Sequence, residues 1–221
     1  MLRLPHIAKC LLLFLLLYRT PLAHAQQFDL ITKKKQAWIR FTPVRDMVVV
    51  PLMINGSGPF NFVLDTGVGI MVITDPKLVD SIHIDQKRTI KLYGVGNLDD
   101  LEAYVTSPLN IIIGNSVKSE YVSAAILKDD HFGLSNYAGI KIHGLLGYEF
   151  FSQLAVKINF SDSTITVARP GRFKPFRKGT VIPLSIEDRK PYVNTNVAVN
   201  NSNAIQNKLL VDLGAGHALL L

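Results

Sequence analysis

The chain has 221 residues, 48% of them hydrophobic, and a formal net charge of +7. This excludes a disordered chain and allows one large domain, or one domain and part of another. Much of the charge belongs to one end: Arg3, Lys9 and Arg19 lie in the first 25 residues, which hold no acid, leaving 21 basic against 17 acidic residues in the rest.

Those first 25 residues read as a secretory signal peptide. A basic start precedes the apolar run LLLFLLLY at 11–18, and Ala23-His24-Ala25 has the small-x-small cleavage pattern. The run is too short to span a bilayer, so no stable membrane span is expected once it is removed. The mature chain is expected to start near Gln26. Cys10, the single cysteine, lies in the removed part, which leaves no disulfide, thiolate metal site or cysteine nucleophile. An exported chain without cysteine suits a bacterial periplasmic or secreted protein. The basic runs at 33–35 and 169–178 read as solvated loop faces, and no nucleic-acid partner is expected.

Downstream, short strands follow one another. MVVVPLMI at 47–54 is apolar and β-branched, NGSGP at 55–59 is a turn, and FNFVLD and IMVIT are joined by Thr-Gly-Val-Gly. PKLVDSI at 76–82 predicts one short helix capped by Asp75. Residues 88–105 predict a hairpin tipped by Gly94, Val95, Gly96 and Asn97. LNIII at 109–113, YVSAAIL at 121–127, and INFSDSTITV around a polar turn continue the pattern, and GYEFFSQL at 147–154 is a second helix candidate. Many short strands with regular turns predict an all-β sandwich or barrel. A proline-, glycine- and charge-rich stretch at 171–179 marks a connector, dividing 26–170 from 180–221, where TVIPLSI and PYVNTNVAV read as further strands.

One weak internal repeat crosses that connector. FVLDTGVGIMVI and LLVDLGAGHALL align as apolar-Asp-x-Gly-x-Gly-x-apolar, with Asp65 and Asp212 separated by 147 positions, about one mid-sized domain. Here the residues carry a resemblance. VLDTGVGIMVI at 63–73 resembles the active-site loop of the retropepsin-like and pepsin-like aspartic proteases, and IHGLLGYEFF at 142–151 resembles their second signature, an apolar pair and glycine entering a short helix. The chain is most similar to exported bacterial aspartyl proteases, which often carry a PDZ domain; no PDZ-like segment is visible in this sequence.

The resemblance implies a closed β-barrel lobe over 26–170 with one or two short helices, then the start of a similar lobe that looks truncated. It implies catalysis by two carboxyls, Asp65 and Asp212, sharing one proton: the ionised one activates water and the other polarises the amide carbonyl. Like charges so close cannot both ionise, and low dielectric adds to the effect, which explains an acid at the end of an apolar strand. Gly67 lets the backbone bend closely around the carboxylate. Thr66 would bond to the partner loop. Gly144, Leu145 and Leu146 would support the active-site loop by packing, and Tyr93, Gly94, Val95 and Gly96 would form the flap over an extended polypeptide substrate. Leu213 departs from the family pattern, which has Thr or Ser there. The dyad could therefore form within one chain or between two Asp65 residues of a homodimer. No cofactor or metal is expected: His83, His131, His143 and His217 are scattered. The alternative function is an inactive β-barrel module that binds extended peptide.

Overall fold

The computed structural model describes residues 28–82, 84, 86–92, 101–174, 178–198 and 203–216. The signal-peptide expectation and the flap tip at Tyr93, Gly94, Val95 and Gly96 lie outside the described residues.

Strands dominate. β1 (Asp29–Leu30), β2 (Gln36–Arg40) and β3 (Thr42–Val44) lead into the long strands β4 (Met47–Ile54) and β5 (Ser57–Leu64), then β6 (Met71–Ile73). Helix α1 (Leu78–Ile82) precedes β7 (Gln86–Leu92), β8 (Leu101–Thr106), β9 (Leu109–Ile113), β10 (Val117–Val122) and β11 (Ala124–Leu127). Helix α2 (Leu134–Ala138), strand β12 (Gly144–Leu146) and helix α3 (Tyr148–Phe151) follow, then β13 (Ala155–Asn159) and β14 (Thr164–Ala168). β15 (Ser185–Glu187), β16 (Lys190–Val197) and β17 (Ile205–Leu210) complete the order.

The principal sheet has 11 strands along the path β1-β10-β9-β4-β5-β12-β6-β11-β8-β7, with β3 beside β4. Two three-stranded sheets flank it in sequence, β13-β14-β2 and β15-β16-β17. The all-β expectation holds. Among the described residues the path runs from β1 to β7 with no pairing between these two. The order follows from β12, which runs parallel to β5 and inserts between β5 and β6, and β11, which runs parallel to β6 and pairs with β8 on its other side.

The apolar runs have two faces to fill. In β4, Val48, Val50, Leu52 and Ile54 enter a large core with Phe62, Leu64, Met71, Ile73 and Leu146. Met47 and Val49 point the other way, into a second core with Val63, Val72 and Leu145. A strand buried on both faces needs a continuous rather than alternating apolar sequence, and MVVV supplies it. Each such side chain contributes about 1.5–3 kcal/mol on burial.

Several boundaries differ from those the sequence predicts. The turn after β4 needs only Asn55 and Gly56, both left-handed (φ 50° and 84°), as two-residue hairpin turns require. Ser57 therefore already begins β5. The apolar stretch 121–127 is two strands broken at Ser123, because β10 pairs with β9 while β11 leaves to join β6 and β8. α1 begins at Leu78, with Asp75 Oδ1 accepting the Lys77 N–H at 3.2 Å. α3 is one turn, shorter than 147–154, and α2 was not legible as a helix. The β7–β8 and β13–β14 hairpins pair as expected. No helix among the described residues is long and apolar enough to cross a membrane.

Candidate active site

Asp65 follows the buried Phe62, Val63 and Leu64 of β5. β12 lies directly alongside, parallel, with Gly144 opposite Phe62, Leu145 opposite Val63 and Leu146 opposite Leu64. Its last carbonyl, on Leu146, accepts the Asp65 N–H at 3.0 Å. The same strand pairs antiparallel with β6 on its other side, so β12 fills the space between the two strands that the Asp65 loop joins.

That insertion needs residues without side chains. A Cβ on Gly144 would lie 2.1 Å from the Val72 carbonyl oxygen and 2.5 Å from the Phe62 ring. A Cβ on Gly147 would lie 2.1 Å from the Val68 carbonyl oxygen and 2.6 Å from that of Asp65. The chain then turns into α3, where the Tyr148 N–H donates to Val68 O at 3.0 Å.

The second aspartate arrives from β17. Val211 N–H donates to Pro191 O at 2.9 Å, and the next residue is Asp212. The two loops repeat one local geometry. Gly67 N–H donates to Asp65 Oδ1 at 2.7 Å, and Gly214 N–H donates to Asp212 Oδ1 at 2.8 Å. They are interlocked by one hydroxyl: Thr66 Oγ1 donates to Val211 O at 2.6 Å and accepts the Leu213 N–H at 2.9 Å. Leu213 has no hydroxyl to return the contact. Both glycines are required by close approach: a Cβ on Gly67 would lie 3.0 Å from Asp212 Oδ2, and one on Gly214 would lie 2.5 Å from Asp65 Cγ.

The carboxyls of Asp65 and Asp212 come together within one chain, both within 3.1 Å of the space a Cβ on Gly67 would fill, close enough to share a hydrogen bond. Burial pushes Asp65 up to about 7, helped by the negative charge of Asp212 and by that shared bond; the Gly67 N–H and the charge of Lys190 pull the other way. Such a pair holds one proton between two acids, and aspartic proteases are the standard instance of this splitting. An acid beside an ionised acid, at the end of a dry strand, can both accept a proton from water and supply one to an oxygen.

Of the residues singled out from sequence, Asp65, Thr66, Gly67 and Asp212 meet in one cluster. Gly144, Leu145 and Leu146 lie behind the Asp65 loop, with Leu146 in the large core and Leu145 in the second. His143 serves the same strand: its Nδ1 accepts the Asn61 N–H at 3.1 Å, and burial holds its pKa below the usual histidine value. Sequence reasoning missed Gly147 and Gly214. The repeat contained a signal for Gly214, which occupies the position of Gly67 in the second Asp-x-Gly. It also missed Glu149 and Arg189. Glu149 is 1% exposed. Arg189 contributes Nη1, 3.5 Å from Gly69 O.

Comparison with known proteins agrees with this geometry. No curated protein matches the chain. A family model described as aspartyl protease matches residues 50–150, which run from within β4 through the Asp65 loop and β12 into α3. By that match, residues 50–150, which build the Asp65 loop, are similar to the retropepsin-like aspartyl proteases.

Proposed function

We propose that this chain is an exported aspartic endopeptidase that hydrolyses peptide bonds through Asp65 and Asp212. The observation that carries the proposal is the close approach of two carboxyls on loops of matching geometry, each accepting the N–H of the glycine two residues on, with one of them raised to about 7. In the first step the ionised member removes a proton from a water molecule as its oxygen attacks the amide carbon. The protonated member gives its proton to the carbonyl oxygen, forming a neutral tetrahedral diol. In the second step the diol returns one hydroxyl proton to the dyad, the nitrogen is protonated, and the C–N bond breaks. The dyad ends with one proton, as it began.

Substrate is read as an extended polypeptide covered by the β7–β8 hairpin, whose tip carries Tyr93, Gly94, Val95 and Gly96. Export is part of the proposal, on the pattern of residues 1–25. Chain recovered from the exported fraction and beginning near Gln26 is expected to cleave an unfolded protein at acidic to neutral pH. Asp65→Asn and Asp212→Asn each lower kcat by roughly 10²–10⁴-fold, the range for loss of a general acid or base. Wild-type rates in the pure Asp65→Asn variant would exclude the proposal.

A second reading, an inactive module that binds extended peptide, is favoured by Leu213, which leaves the interlock one-sided. Saturable peptide binding with no turnover by wild-type chain would select it.

A further inference from the structure

Glu149 is an acid outside the dyad. It lies on α3 and is buried, and its Oε1 accepts the Met71 N–H at 3.3 Å. Its Oε2 is also buried and has no partner among the described residues. Met71 is where the Asp65 loop returns to the sheet as β6. The other end of the loop, the Asp65 N–H, is held by Leu146 O, and Tyr148 N–H holds Val68 O between them. Residues 146–149 therefore grip the loop at its start, middle and end.

A buried carboxylate with one unpaired oxygen is far costlier than a neutral acid with the same contacts. The charged group acting on Glu149 is Arg189, at the β15–β16 turn. Its guanidinium lies 5.9 Å from the centre of the Tyr148 ring and reaches Gly69 O. Strand β6 carries no titratable side chain, the 65–70 loop carries only Asp65, α3 adds Tyr148, and the β15–β16 turn adds Asp188 and Lys190.

We propose that Glu149 is a positioning residue for Asp65: as a neutral acid it clamps the far end of the catalytic loop through the Met71 amide, and the cost of burying its ionised form weakens that clamp. The effect on activity rests on Asp65 being catalytic, whereas the clamp itself does not. Burial raises Glu149 from 4.5 to about 7, against the opposing N–H groups of Glu149 itself and of Met71 and the charge of Arg189. Between those values the folded chain keeps a proton that the unfolded chain releases. Its stabilisation is therefore complete below about pH 4.5 and is lost as pH rises through about 7.

The test uses full chain in an Asp65→Asn background, which removes the titration of Asp65. With Glu149 present, Tm falls between about pH 4.5 and 7. Glu149→Gln, which keeps an acceptor for Met71 but cannot ionise, flattens that fall and keeps the Met71 amide protected from hydrogen exchange at pH 8. Glu149→Leu loses that protection. With Asp65 intact, Glu149→Gln cleaves near the wild-type rate at pH 5, while Glu149→Leu loses about 10²-fold in kcat, the scale of a 1 Å misplacement. An unchanged Tm slope in Glu149→Gln, or a protected Met71 amide in Glu149→Leu, would overturn the clamp. If the Gln variant does not fold, the carboxyl ¹³C titration of wild-type Glu149 decides: a midpoint near 7 supports the clamp and one near 4.5 ends it. Chain that shows the Tm effects but never cleaves leaves the clamp standing and refutes the protease reading instead.

Discussion

Thr66 does the work usually divided between two side chains. Its single hydroxyl both donates and accepts, satisfying Val211 O and the Leu213 N–H of the opposite loop. Thr66→Val keeps the shape and strands both backbone groups, at a cost of about 1–3 kcal/mol. The expected result is a lower denaturant midpoint and reduced kcat, with Thr66→Ser restoring both. Equal midpoints for the Val and Ser variants would show that the hydroxyl does not join the loops. Asp65 illustrates the same dependence on neighbours. Its proton is held chiefly by burial, and that feature was legible: FNFVL before the acid announced a dry strand end. The identity of the hydrogen-bond partners of Thr66 was not, because Val211 and Leu213 act through backbone atoms that any residue would provide.

The element that sets the loop is β12. Three residues, Gly144 to Leu146, insert between β5 and β6 and hand a carbonyl to Asp65. Two constraints meet in this segment: apolar side chains must fill both cores, and the backbone must pass within contact distance of the loop. Leu145 and Leu146 meet the first, and the flanking glycines meet the second. Gly147→Ala sets a methyl against two backbone carbonyls that cannot rotate away. It is expected to destabilise the fold by at least about 1–3 kcal/mol, read as a lower midpoint in urea. An unchanged midpoint would mean that the loop yields freely. Gly144, Leu145 and Leu146 were named from sequence, whereas Gly147 and the parallel pairing with β5 were not. Period and composition report burial, not which strand lies next door.

At the scale of the molecule, the dyad joins residues 147 positions apart. The β15–β16–β17 sheet delivers Asp212, yet much of its apolar surface stays open, with Ile186 56% and Ile205 66% exposed. Its contacts with the Asp65 loop include the Thr66 bridge and the Arg189 reach to Gly69 O, while Leu213 packs against the large core. Asp212→Asn tests the pairing directly. Removing that charge should bring the Asp65 midpoint, followed by carboxyl ¹³C shifts, down from about 7 but not to 3.8, because burial is the larger cause and persists. Stability follows with a definite sign. Asp65's share is fully present below about pH 3.8 and lost as pH rises through about 7 in wild type, through a lower pH in the variant. A midpoint that does not move would place the source of the shift within the first loop alone.

The amino-acid sequence alone determined the strand-rich class, both Asp-x-Gly loops and the need for glycine beside Asp65, because alternation, turn chemistry and steric limits are local properties. Only the tertiary structure decided that Asp65 meets Asp212 of the same chain, that β12 inserts between β5 and β6, and that Glu149 is buried behind the loop. Those outcomes depend on which distant segments share a dry interior. There a charge costs far more than in water, and each acid's behaviour is set by neighbours that sequence order does not reveal.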